Sequence, residues 1–159
     1  MAYLSPMPVE NEQKILDVVT KLNKVIPKFR VKLEGFVKGT NGYIFVALDE
    51  KSQNKLKEIR NQLIDSLLPY RDSTIKQKYL DKWERFSEEE KDRIKTTGLP
   101  YEYEAHLTLA QVPEGKEEEV IEILQGNSLN GQNFEAIKLQ VLTSNNGVNK
   151  MLDIPSSRN

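Results

Sequence analysis

The chain reads as a mixed α+β protein, an α/β arrangement of two lobes, on three observations. Several separate segments carry apolar residues at three- and four-residue steps, the period of an amphipathic helix. Short runs between them alternate at period two or are continuously apolar, the pattern of strands. Strand–helix–strand order then occurs twice, with no visible sequence repeat.

Met1 to Pro8 (MAYLSPMP) holds two prolines and cannot be a helix interior; Met1 to Ser5 fits the end of a strand. From about Asn11 the period turns helical, with Ile15, Val18, Val19, Leu22 and Ile26 inside, until Pro27 ends it. Phe29 to Leu33 alternates, with Phe29, Val31 and Leu33 toward a core and Arg30 and Lys32 the other way. Gly35 and the run Gly39 to Gly42 mark a turn, and Asn41-Gly42 is a hairpin signal. Tyr43 to Leu48 (YIFVAL) is apolar on both faces, which predicts a central strand. Ser52 is placed to cap the next helix, whose stripe is Leu56, Ile59, Leu63, Ile64 and Leu67 and whose end is Pro69.

Tyr70 to Gly98 is polar and charged and reads as a helical insertion (about 70–98) in a single domain spanning 1–159. Ile75, Tyr79 and Trp83, spaced by four, are its anchors, with the tryptophan supplying packing rather than ligand contact. Ser87-Glu88-Glu89-Glu90 has the form of a capping box, and Gly98 stops the helix it opens. A strand around His106 follows, ended by Pro113 and Gly115. A helix then runs with Val120, Ile121 and Leu124 inside, and Glu117 to Glu119 reads as its solvated first turn. Phe134 to Thr143 reads as one strand, Asn145-Asn146-Gly147 as a turn, and Met151 to Ile154 as a last short strand before a frayed tail.

Composition narrows the function. The 159 residues hold 23 Lys+Arg against 24 Asp+Glu, which argues against a duplex nucleic-acid footprint but leaves room for a small phosphorylated ligand in a local pocket. With no cysteine there is no disulfide, thiolate metal site or thiol nucleophile. No apolar run approaches the ~20 residues of a membrane span, and Met1 to Pro8 lacks the form of a secretory signal, so a cytoplasmic protein without a membrane partner is expected.

The chemistry centres on Pro100 to Ala110 (PYEYEAHLTLA), which contains the one histidine. At strand period His106 and Thr108 share a face, and Leu107 and Leu109 share the other. An imidazole beside a hydroxyl on a rigid strand can move a proton and hold an anionic oxygen. The plain alternative is a histidine satisfied by a neighbouring carboxylate or carbonyl, beside a threonine chosen as a β-former.

His106-Leu107-Thr108-Leu109 resembles the His-x-Thr/Ser-x motif of the two-histidine (2H) phosphoesterase superfamily, which includes the RNA ligase-like cyclic phosphodiesterases of bacteria. The order of strands and helices around it is similar too. The insertion ending Gly98-Leu99-Pro100-Tyr101, with Glu104 before His106, looks like the branch found in phosphonate-utilisation operons. The resemblance implies a 2H-like sheet with flanking helices. It also implies metal-independent hydrolysis of a 2′,3′-cyclic phosphate or 2′-5′ phosphodiester, with His106 and Thr108 as one catalytic half-site and no cofactor. The family's first motif has no counterpart. Met1 falls where its histidine belongs and Tyr3 where its hydroxyl residue belongs, so the N-terminal strand is expected to be missing, by truncation or by lineage.

Substrate-binding candidates are Arg30, Lys32 and Lys138 for phosphate, Tyr43 and Phe45 for a stacked base, and Tyr101 at a cleft rim. Each has a plainer reading as solvated strand face or packing. Three functions stay open: an enzyme acting on a small cyclic phosphodiester or RNA end with His106 as sole acid/base, a non-catalytic nucleotide- or protein-binding member of the fold, and a merely architectural likeness with an open edge used for dimerisation. A monomer or weak homodimer is expected.

Overall fold

The computed structural model describes residues 7–126, 129, 131–145 and 148–152, so the expected strand at Met1 to Ser5, Asn146 and Gly147 of the expected Asn145-Asn146-Gly147 turn, Asp153 and Ile154 of the expected last strand, and the tail lie outside the described residues. In chain order the elements are α1 (Glu12–Val25), β1 (Phe29–Lys38), β2 (Tyr43–Leu48), α2 (Glu50–Leu67), α3 (Gln77–Leu80) and α4 (Glu88–Thr97). They continue with β3 (His106–Gln111), α5 (Glu117–Gln125), β4 (Asn133–Ala136), β5 (Val141–Asn145) and β6 (Val148–Leu152). The class is mixed α+β, and the chain forms two compact units.

One unit comprises Lys28–Glu58 and Tyr103–Ala136. Its four-stranded antiparallel sheet has the order β3-β2-β1-β4, so the doubly apolar β2 is central, as its sequence predicts. Ile44, Val46 and Leu48 of β2 are buried, and Val31, Leu33, Val46, Leu48 and Ala105 form the core, with Phe29, Phe36, Leu56, Tyr103, Leu129 and Ala136 packed against it. Each such aliphatic side chain contributes about 1.5–3 kcal/mol of burial. The Asn41-Gly42 hairpin turn has both residues at positive φ (57° and 78°), as the tight turn favoured by right-twisted strands requires. A Cβ at Gly42 would also collide with the Val112 carbonyl oxygen, which closes that position to other residues.

The other unit comprises Met1–Pro27, Ile59–Glu102 and Ile137–Asn159. Ile59, Leu63, Ile64 and Leu67 of α2 are buried at the expected spacing. In the insertion Tyr79 is buried and meets Phe86 edge-on at 6.0 Å, while Ile75 and Trp83 are half-buried. The Ser87–Glu90 capping box is reciprocal, and Gly98 caps the end of α4 in left-handed conformation. β5 and β6 pair with each other.

Four expectations need correction. Ser52 does not cap α2. Asp49 accepts the Ser52 backbone N–H, and the buried Ser52 hydroxyl instead accepts from the Lys32 backbone N–H at 2.9 Å. Gly35 is no turn, since β1 runs through it to Lys38 with a register shift between Leu33 and Gly35. Phe134 to Thr143 is two strands rather than one. The Asn23 side chain takes both backbone groups of Leu139, its Nδ2 donating at 3.0 Å and its Oδ1 accepting at 2.6 Å, so this segment has a partner outside any ladder. In the Glu117–Glu119 turn, Glu117 is only 2% exposed, with Lys38 3.6 Å away, and just Glu118 and Glu119 are solvated.

Candidate functional site

The register of the sheet decides which side chains share its non-core face. Ala47 lies opposite His106 and Phe45 opposite Thr108, and both pairs alternate with the buried Val46 and Leu48. On β1, Arg30 and Lys32 alternate with the core residues Phe29, Val31 and Leu33, which places them on the same non-core face. Arg30 stands opposite Glu135, and Lys32 opposite Asn133, in β4. His106, Thr108, Phe45, Tyr43, Arg30 and Lys32 therefore share one face of the sheet, with Arg30 and Lys32 in the part of β1 that pairs with β4, before its ladder with β2 begins. Tyr101 (60% exposed) and Lys138 belong to the other unit, Lys138 in the irregular stretch between β4 and β5.

His106 opens the edge strand β3 and is exposed. Its Nδ1 lies 3.0 Å from the Glu104 carbonyl oxygen. A carbonyl only accepts, so this contact assigns the proton to Nδ1 and leaves Nε2 as the basic nitrogen of the neutral ring. The imidazole stacks on Phe45 with ring centroids 4.0 Å apart and planes 25° apart, and Phe45 in turn lies 6.0 Å and 14° from Tyr43. The histidine is thus satisfied by its own chain's carbonyl and by a ring, while its Nε2 keeps its lone pair.

Leu107 pairs with the buried Val46, yet is 42% exposed, and the expected partnership with Leu109 fails. The register slips between Ile44 and Phe45, which makes Leu109 the extra residue of a bulge. That slip reverses the parity of the strand beyond it. Gln111, which simple alternation puts on the opposite side from His106, comes opposite Tyr43 on the His106 face, where its Nε2 donates to the Asn41 carbonyl at 3.0 Å. No glycine or proline marks this bulge, so the sequence carries no signal for it. Two contacts also escaped the sequence, that of the Glu104 carbonyl with His106 and that of the Gly39 backbone with the Phe45 ring, because each depends on where a side chain of β2 or β3 lies.

Chemically, the face offers one general acid/base, a hydroxyl two residues along, aromatic rings and two cations. Among the described residues no group of three or more His, Cys, Asp or Glu side chains is placed to hold a metal ion, and no helix is long and apolar enough to cross a membrane. Comparison with family models, curated proteins and solved structures gives no match for this chain.

Proposed function

We propose that the chain is a 2H phosphoesterase-like protein whose His106 face takes a small nucleotide or RNA end bearing a 2′,3′-cyclic phosphate or 2′-5′ phosphodiester. The observation that carries this reading is the exposed imidazole held by Glu104 and Phe45, with Thr108 beside it on the same face. In the reaction, His106 Nε2 takes a proton from water as its oxygen attacks phosphorus. The bond from phosphorus to one ribose oxygen breaks, and that oxygen is protonated by solvent. Thr108 donates its hydroxyl hydrogen to a phosphoryl oxygen, and Arg30 and Lys32 offset the anionic charge.

A second reading, non-catalytic binding of the same ligand, is favoured by one observation: a single histidine cannot serve as both acid and base in a two-histidine cycle. Incubation with 2′,3′-cyclic AMP, followed by chromatography of the monophosphate products, separates the two. The enzyme reading expects turnover that His106→Ala lowers by about 10²–10⁴-fold. Equal turnover in both proteins would refute it. Absent turnover, with imidazole NMR signals that shift on adding the nucleotide, establishes the binding protein instead.

A further inference from the structure

We propose that Phe45 is a positioning residue for His106, its ring a support for the imidazole, and that a ligand's base stacks on Tyr43 instead. The inference rests on the reading of His106 as the acid/base.

A histidine on an exposed edge strand turns about two side-chain bonds. Here two contacts restrain it. Nδ1 is tied to the Glu104 carbonyl, and the ring lies on Phe45 at 4.0 Å, which is van der Waals contact between nearly parallel rings. The second contact is useful only if Phe45 is itself fixed, and Gly39 provides for that. A Cβ at Gly39 would fall 2.7 Å from Cζ of Phe45, and nearer still to Cε2, so the ring lies directly against the glycine backbone and has no room to swing that way. Gly39 is in turn held by its N–H donating to the Tyr43 carbonyl at 2.7 Å. Backbone, phenyl and imidazole thus form one stack.

The ring surface of Phe45 that faces His106 is covered and cannot receive a base. Tyr43 is half-buried, with its plane 14° from that of Phe45, and it stands two residues further from His106 along β2. On one extended strand two residues span about 7 Å, comparable with the reach of a nucleotide from phosphate to base. The face is therefore polar along its length, with the phosphoryl group at His106 and Thr108 and the base at Tyr43 and Gln111.

The test uses the full chain and the single histidine, which yields one set of imidazole carbon–proton NMR signals without assignment. In the wild type these protons are expected upfield of free histidine, under the Phe45 ring current. Phe45→Leu is expected to return them toward the free position, and Phe45→Tyr to restore them. Gly39→Ala, which displaces the ring, is expected to move them as Phe45→Leu does. With 2′,3′-cyclic AMP as substrate, Phe45→Leu lowers kcat by about 10–10²-fold at nearly constant KM, and Phe45→Tyr recovers it to within about threefold. Tyr43→Leu raises KM and spares kcat. Imidazole signals unmoved by Phe45→Leu, or a Phe45→Leu effect confined to KM, would overturn the inference. A wild type without turnover would refute the hydrolytic reading alone, because the spectra still decide whether Phe45 holds the ring.

Discussion

Glu117 is the one carboxylate buried among the described residues, and its surroundings keep it charged. Its own backbone N–H, then the Lys38 ammonium at 3.6 Å and the Gly115 N–H at 2.8 Å, hold its pKa below the ordinary value of 4.5, although burial pushes the other way. Lys38 is shared with the exposed Glu118 at 3.5 Å. A carboxyl whose pKa is depressed by folding adds stability above its unfolded pKa. That stability disappears as pH falls through the folded pKa. Glu117→Gln keeps an acceptor for the Gly115 N–H and loses the charge. The variant is therefore expected to be less stable than wild type at neutral pH, with the gap closing as the medium is acidified below the ordinary glutamate range. Urea midpoints for the two proteins between about pH 7 and pH 3 check this, and a gap independent of pH would show that the charge contributes nothing. Three consecutive glutamates carry no sign of which one is buried. Glu117 is set apart by the backbone N–H groups of Gly115 and of Glu117 itself, from which its carboxylate accepts, while Lys38, distant in sequence, is shared with Glu118.

At the scale of elements, legibility follows the distance over which the deciding contact acts. The capping box of α4 was readable because Ser87 and Glu90 are three residues apart, and the hairpin because Asn41 and Gly42 are adjacent. The break between β4 and β5 was not, because Asn23, which engages Leu139, is 116 positions away. Arg71 is of the same kind. Its buried guanidinium donates to the Lys95 carbonyl and, at 3.1 and 3.2 Å, to those of Ile94 and Thr74. Ile94 and Lys95 lie in the last turn of α4, where a cation is favourable, and the Ile94 carbonyl also accepts the Gly98 N–H at 2.9 Å. A single arginine in a polar segment announces none of this. Arg71→Met keeps much of the packing and removes the donors, so about 1.5–3 kcal/mol of stability is expected to be lost. The last turn of α4 should then be cleaved by protease sooner than in wild type. An unchanged cleavage pattern and urea midpoint would mean that Gly98 alone suffices to end the helix.

Over the whole molecule, the site was legible as far as strand parity carries. Alternation alone groups His106 with Thr108, Tyr43 with Phe45 and Arg30 with Lys32 strand by strand, the sheet register puts the three pairs on one face, and the bulge at Leu109 marks where alternation stops and Gln111 enters. The charge balance sets the scale of recognition available to this face. With 23 basic and 24 acidic residues the chain has no excess of positive charge, and one of the two cations on the site face stands opposite Glu135. On the proposed reading, a ligand taken by this face displaces few counterions. For a short single strand ending in a 2′,3′-cyclic phosphate, two phosphate contacts bound the slope of log K against log salt at about −1.4. Removing Lys32 as Lys32→Ala lowers its magnitude by about 0.7. Fluorescence anisotropy between about 50 and 200 mM salt measures both. A slope several times steeper, or a duplex bound as well as the single strand, would reveal a basic surface beyond Arg30 and Lys32 and would shift recognition from the end of a strand to its backbone.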